Sequence, residues 1–162
     1  MNKTTVARTT LILLLLGWMV LIFCFSAQDS SQSSDTSGSI VVKIVSFAYP
    51  DFNNLSTASQ SDIIETNTVL VRKAAHFLEY FVLGALSYFA LGTFKQLKKM
   101  QYFVLPFGFC VLYAISDEIH QYFVPGRACR AFDVFIDSLG AAVAMLLIIG
   151  IKKIRKSGEV NA

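Results

Sequence analysis

The apolar positions of this chain fall into four long runs separated by polar breaks. The first, residues 6–26, is almost unbroken and is roughly the length that crosses ~30 Å of hydrocarbon as a helix. The second, residues 72–94, opens on the polar turns RKAAHFLEY before becoming apolar. The third, residues 101–124, carries Pro106 near its start, where a missing N–H is tolerated. The fourth, residues 132–151, ends at the basic segment KKIRK. A helix satisfies its backbone polar groups within one segment, so each run predicts a membrane-spanning helix. Between the first two runs the pattern changes. Residues 28–39 (QDSSQSSDTSGS) are serine-rich and are expected to be irregular. Residues 40–49 place Ile40, Val41, Ile44, Val45 and Ala48 on a helical stripe. That stripe fits a short helix lying on the membrane surface or a packed loop helix, ended by Pro50. Residues 51–68 are polar and expected to face solvent. The expected fold is therefore one all-α integral membrane domain over residues 1–162. It has four transmembrane helices, an extracytoplasmic loop at residues 27–71 between helices 1 and 2, and a cytoplasmic tail at 152–162. A signal peptide cut after Ala27 is the rival account of the first run. Phe25 stands where such a site needs a small residue, and the run is long for a signal-peptide core.

Composition agrees: 54% of the 162 residues are hydrophobic and 15% are charged, which excludes an ordinary soluble domain. Cys24, Cys110 and Cys129 lie far apart with no CxxC pair, against a disulfide framework or a cysteine zinc site. Charge sets the orientation. Lys3, Arg8, Lys95, Lys98, Lys99, Lys152, Lys153, Arg155 and Lys156 fall on one side of a four-span arrangement, nine of the fourteen basic residues. That side is expected to be the cytoplasm, with both termini inside. Arg72 and Lys73 run against this rule at an outer helix end. No Walker loop, dinucleotide glycine pattern, serine-nucleophile elbow or nucleic-acid motif occurs, so no nucleic-acid partner is expected.

The candidate chemistry lies in ionisable residues placed inside the runs. At ~1.5 Å rise per residue, His76 and Glu79 lie ~6 and ~10 Å inward from Arg72. His120 and Asp117 lie ~7 and ~12 Å inward from Pro125, and Asp133 and Asp137 ~2 and ~8 Å inward from Phe132. Three helices thus carry unusual residues at one level, in the outer leaflet. Arg72, His76 and Glu79 share a face; Tyr113, Ser116, Asp117, His120 and Gln121 share an arc. Glu118 points further round, to the interface or the fourth helix. Asp133 and Asp137 continue inward as Gly140, Ala141 and Ala144, small residues that admit a neighbouring backbone. Three readings fit this cluster. One is a structural network pinning helices together. Another is a site open to the outer surface, with His76, Glu79, Asp117, His120 and Asp137 as working groups and Arg72, Gln121, Arg127 and Asp133 binding substrate. The last is a proton or ion path, which the apolar inner halves of the runs disfavour. Within the site reading, His76, Glu79, Asp117, His120, Asp133 and Asp137 offer mixed imidazole and carboxylate ligands suited to Zn²⁺ or Mn²⁺. A metal-free acid–base pair is the other form of it. Arg127 and Arg130 are placed to grip a phosphate or carboxylate, or simply a lipid headgroup.

The segments RKAAHFLEY (residues 72–80), SDEIHQ (116–121), PGR (125–127) and DVFIDSLG (133–140), with FSAQ at 25–28, resemble the VanZ-like family. The resemblance covers roughly residues 11–151. It implies a small polytopic bacterial membrane protein, and the family's namesake contributes to resistance to the glycopeptide teicoplanin. The expected function is action, through an outer-leaflet polar pocket, on a lipid-linked or cell-envelope component. The expected partners are membrane lipids, a lipid-linked envelope precursor or a lipoglycopeptide. The alternative is a non-enzymatic binding or scaffold protein whose polar cluster is structural.

Overall fold

A computed structural model describes residues 2–160 apart from 95, 96 and 99. In chain order it holds α1 (Lys3–Ser26), α2 (Ser30–Ala48), a 3-10 turn (Pro50–Asn54), α3 (Thr57–Gly92), α4 (Gln101–Tyr122) and α5 (Ala131–Val160). There is no strand among the described residues. Four helices among them, α1, α3, α4 and α5, are long and apolar enough to cross a membrane, as the four apolar runs predict. The first and fourth runs sit within longer helices, while α3 ends at Gly92 and α4 at Tyr122, each two residues before its run does. The 36 residues of α3 extend about 54 Å, against ~30 Å of hydrocarbon, so its first turns stand clear of the apolar zone. Helix α5 continues through KKIRK instead of ending before it.

The segment between the first two spans departs from expectation. Residues 30–48 form one helix, and the surface stripe at 40–49 is its second half. Asp29 starts it: its carboxylate accepts the Gln32 N–H at 2.9 Å and the Ser31 hydroxyl at 2.6 Å. These bonds hold the Asp29 carboxyl below the ordinary carboxylate range. The cap is therefore fully present at neutral pH and weakens only as pH falls through that lowered value. The buried face of α2 is Ser33, Ser37, Val41 and Val45, one residue per turn. Two of the four are serines, which hydropathy counts as polar although their small side chains let helices approach. The partner is the outer part of α3, which begins within the stretch expected to be loop. There the Ser56 hydroxyl accepts the Ser59 N–H at 3.2 Å. Val41, Val45 and Phe52 pack with Ile63, Ile64 and Val71 into a small outer core.

The main core gathers Ile22, Tyr80, Leu83, Tyr88, Cys110, Ala114, Ala141 and Met145 from all four spans. Helices α3 and α5 touch backbone to backbone. A Cβ at Gly84 would sit 2.7 Å from the Ala141 Cα, and one at Gly140 would run into the Phe77 carbonyl oxygen. This is the small-residue seam predicted at Gly140, Ala141 and Ala144. Helix α1 is tied on by the Trp18 Nε1–H donating to the Glu79 carbonyl at 2.8 Å. The Tyr113 hydroxyl of α4 donates to the Met19 carbonyl at 2.7 Å. At one end of the bundle Arg8 donates to the Thr93 hydroxyl and carbonyl at 3.2 and 3.0 Å and covers the Phe94 ring. Lys152 covers the Tyr88 ring at 4.6 Å near the same end. Lys95 and Lys99, assigned to this end from sequence, lie outside the described residues.

Gly84→Ala and Gly140→Ala should each destabilise the bundle by ~1–3 kcal/mol, because neither backbone neighbour has room to move. Gly17→Ala, where an added Cβ meets nothing within 4 Å, should leave thermal unfolding of the detergent-solubilised protein unchanged. Similar melting of all three variants would refute the close crossing.

Candidate functional site

The other end of the bundle collects a group of ionisable and polar side chains. Helix α3 brings Arg72, Lys73, His76 and Glu79, α4 brings Asp117, Glu118 and Gln121, and α5 brings Asp133 and Asp137. At its centre, His76, Asp117 and Asp137 each place one nitrogen or oxygen so that the three atoms lie within 4.8 Å of one another. Their helices are fixed by the seam described above. His76 precedes Phe77, and Asp137 stands one helical turn before Gly140, so the Phe77–Gly140 contact sets both at one level. Asp137 is 0% exposed, and neither carboxylate oxygen has a hydrogen-bond partner. His76 Nδ1 and the Tyr80 hydroxyl are also buried and unpartnered. Asp117 is steadied by Gln121, whose Nε2 donates to Oδ2 at 2.9 Å. Glu79 Oε2 stands 3.7 Å from His76 Nδ1.

Around this centre Lys73, Asp133, Glu118 and Arg127 each have a partner. Lys73 Nζ meets Asp133 Oδ1 at 2.8 Å and covers the Phe132 ring at 4.5 Å. The buried Glu118 accepts the Arg130 backbone N–H at 2.7 Å, placing a carboxylate at the start of α5. The loop between α4 and α5 is fastened to the turn between α1 and α2. The Ser30 N–H donates to the Pro125 carbonyl at 3.3 Å, and Arg127 Nε donates to the Gln28 carbonyl at 3.2 Å. Gly126 makes this possible with φ +72°, and a Cβ there would strike the Ser30 hydroxyl. Burial and the neighbouring Arg72 pull the Arg127 pKa down; Asp117, Glu118 and Asp133 push it back up. The guanidinium stays charged throughout the physiological range.

Two clefts open onto this group. One, of about 180 Å³, runs between α1, α2 and α3 past Phe25, Ile40, Val71, Arg72, His76 and Arg127. The other, of about 70 Å³, lies under the α4–α5 loop and includes Lys73, Gln121, Arg130 and Asp133. Arg72, His76 and Arg127 line both.

The nine residues proposed from sequence thus divide. His76, Asp117 and Asp137 converge, with Glu79 and Gln121 against them, and Arg72 and Arg127 line the clefts. Asp133 is taken up by Lys73. His120 stands apart from the converging group, its ring 4.6 Å from that of Phe23 on α1. Ser116, grouped from sequence on one arc with Tyr113, Asp117, His120 and Gln121, is exposed and donates to the Tyr113 carbonyl of its own helix. The inner face of α4 is Cys110, Ala114, Asp117, Glu118 and Gln121. Two residues were missed. Lys73, like Arg72, runs against the charge sorting expected from sequence, and that exception was its signal. Tyr80 follows His76 by one helical turn, but a tyrosine in a span carries no distinguishing mark.

Residues 11–153 match a family model, VanZ/LLP1. No curated protein and no solved structure matches the chain.

The two outer carboxylates should differ in weight. Asp133→Ala breaks a partly exposed ion pair and should cost no more than ~1 kcal/mol. Glu118→Ala removes a buried charged acceptor and should cost ~1.5–3 kcal/mol, with Glu118→Gln milder. Thermal unfolding of the purified variants reads the order, and a larger loss at Asp133 would refute it.

Proposed function

The chain belongs to the VanZ/LLP1 family, and on that premise we propose that it engages the anionic headgroup of a lipid-linked or cell-envelope component at the outer leaflet of a bacterial membrane. In this reading it crosses the membrane four times with both termini cytoplasmic, as the sorting of lysine and arginine supports. One observation carries the proposal: positive charge and exposed apolar surface share a single cleft. Arg72 and Arg127 line it beside Phe25, Ile40 and Val71. Phe25 and Ile40 are 43% and 44% exposed, so the rim is apolar where lipid tails would lie. A lipid-borne phosphate entering from the side meets two guanidinium groups, whose planar forks suit phosphate oxygens. Gln121 and Asp133 line the adjoining cleft and contact the polar part of the headgroup. His76, Glu79, Asp117 and Asp137 are the working groups behind it, with His120 one turn beyond Asp117. Withdrawing or altering such a component changes what a glycopeptide meets at the cell surface, which is the proposed connection to teicoplanin resistance.

A non-catalytic binding or scaffold role is the second reading. It is favoured by Lys73–Asp133 and Glu118–Arg130, which join α3 to α5 and α4 to the start of α5. Asp117→Asn separates the two: loss of turnover with lipid binding kept supports catalysis, and no change beyond stability supports the scaffold.

Arg72→Gln and Arg127→Gln should each weaken binding of a polyprenyl phosphate in nanodiscs about tenfold, equivalent to ~1.4 kcal/mol. Undiminished binding by the double variant would overturn the headgroup reading. Orientation has its own test. In a Cys24→Ser background, the exposed Cys129 should react with a membrane-impermeant maleimide in intact cells. A cysteine introduced by Ser157→Cys should react only after permeabilisation. The reverse pattern would invert the topology.

A further inference from the structure

We propose that His76, Asp117 and Asp137 form a three-ligand site for one divalent transition-metal ion, Zn²⁺ or Mn²⁺. Three separate helices deliver one donor atom each into a space under 4.8 Å across. Donors bound at ~2.0–2.2 Å around a tetrahedral ion stand ~3.4 Å apart, so small side-chain rotations close the set around it. The second observation is Asp137 itself. It is 0% exposed, one of its oxygens belongs to the trio, and neither oxygen meets a hydrogen-bond donor. Buried carboxylates in native proteins are paired, hydrogen-bonded or bound to a metal. Lys73 is committed to Asp133 and Arg127 Nε to the Gln28 carbonyl, and no Arg72 or Arg127 nitrogen donates to either Asp137 oxygen. A divalent ion neutralises Asp117 and Asp137 together.

The surroundings match what metal ligands require. Gln121 steadies Asp117 by donating to its Oδ2, and a carboxylate has a second oxygen to offer. Glu79 Oε2 is 3.7 Å from the unpartnered His76 Nδ1, and a small rotation would bring it into hydrogen-bond range to orient the imidazole. One imidazole with two carboxylates suits Zn²⁺ or Mn²⁺ over the softer metals that thiolates select. Three protein ligands leave a coordination position open, and His76 lines both clefts, which supplies an entry path. The six residues that sequence offered as ligands narrow to three. Asp133 is held by Lys73, His120 lies on Phe23, and Glu79 stands behind His76. The inference rests on the reading above only in placing the ion beside the Arg72–Arg127 cleft.

The test uses the full chain purified in detergent, stripped with chelator, incubated with ZnCl₂ or MnCl₂, desalted and analysed for metal. About one ion per chain is expected for the wild type and under about a tenth for Asp137→Asn, with metal raising the melting temperature of the wild type alone. X-ray absorption of the zinc form should show oxygen donors with one imidazole, and that imidazole signature should vanish in His76→Gln. Folded, monodisperse wild-type protein that keeps no metal would overturn the proposal, as would equal metal content in Asp137→Asn. If that variant does not fold, wild-type stoichiometry and the imidazole signature decide. Metal content is read without lipid, and lipid binding at Arg72 and Arg127 is judged on stripped protein, so the two readings fail separately.

Discussion

Everything at the polar end of this bundle depends on the contact between α3 and α5. Gly84 rests on the backbone of Ala141, and Gly140 on the carbonyl of Phe77. Lipid tails are as apolar as leucine, so helices in a membrane gain little by hiding hydrophobic surface from them; close packing of small residues takes over that role. Two contacts on one seam fix the sliding register of α3 against α5. Register is what places His76 opposite Asp137. A shift by one turn, ~5.4 Å, would separate them beyond the reach of either side chain.

The bundle ends contrast in how charge is handled. At one end, cations meet aromatic rings and backbone acceptors: Arg8 on Phe94 and Thr93, Lys152 on Tyr88. At the other, charges are drawn into the helices and arranged in layers. Lys73 and Asp133 pair where both are partly exposed, the buried Glu118 accepts the Arg130 backbone N–H, and Asp137 is buried with its oxygens open. The outer pairs hold the helix ends in place. The inner group keeps free donor and acceptor capacity on Asp137, His76 and Tyr80.

The outer hairpin of α2 and early α3 turns this group into a lined cleft. Ser33 and Ser37 bury against the bundle, and Val41 and Val45 anchor the far end on Phe52 and Ile64. Ser30 and Gln28 hold the α4–α5 loop through Pro125 and Arg127. Arg127 therefore stands over His76, although 51 positions separate them.

The amino-acid sequence by itself determined the all-α architecture, the four apolar helices, and the common level of the residues on α3, α4 and α5. Each follows from local quantities: run length, helical rise and the 3.6-residue period. It also marked Gly140 and Ala141 as a packing seam, because small residues in line with acids have few other uses. It misjudged residues 28–39, since serine on a buried stripe looks polar until its neighbour is known. It also grouped His120 with Asp117 by spacing alone. Only the tertiary structure decided that His120 turns to Phe23, that Lys73 takes Asp133, and that Asp137 is left open beside His76 and Asp117. Those are choices among partners on other helices. Periodicity states which face a side chain occupies, but the neighbour it meets there depends on how the helices are set against one another.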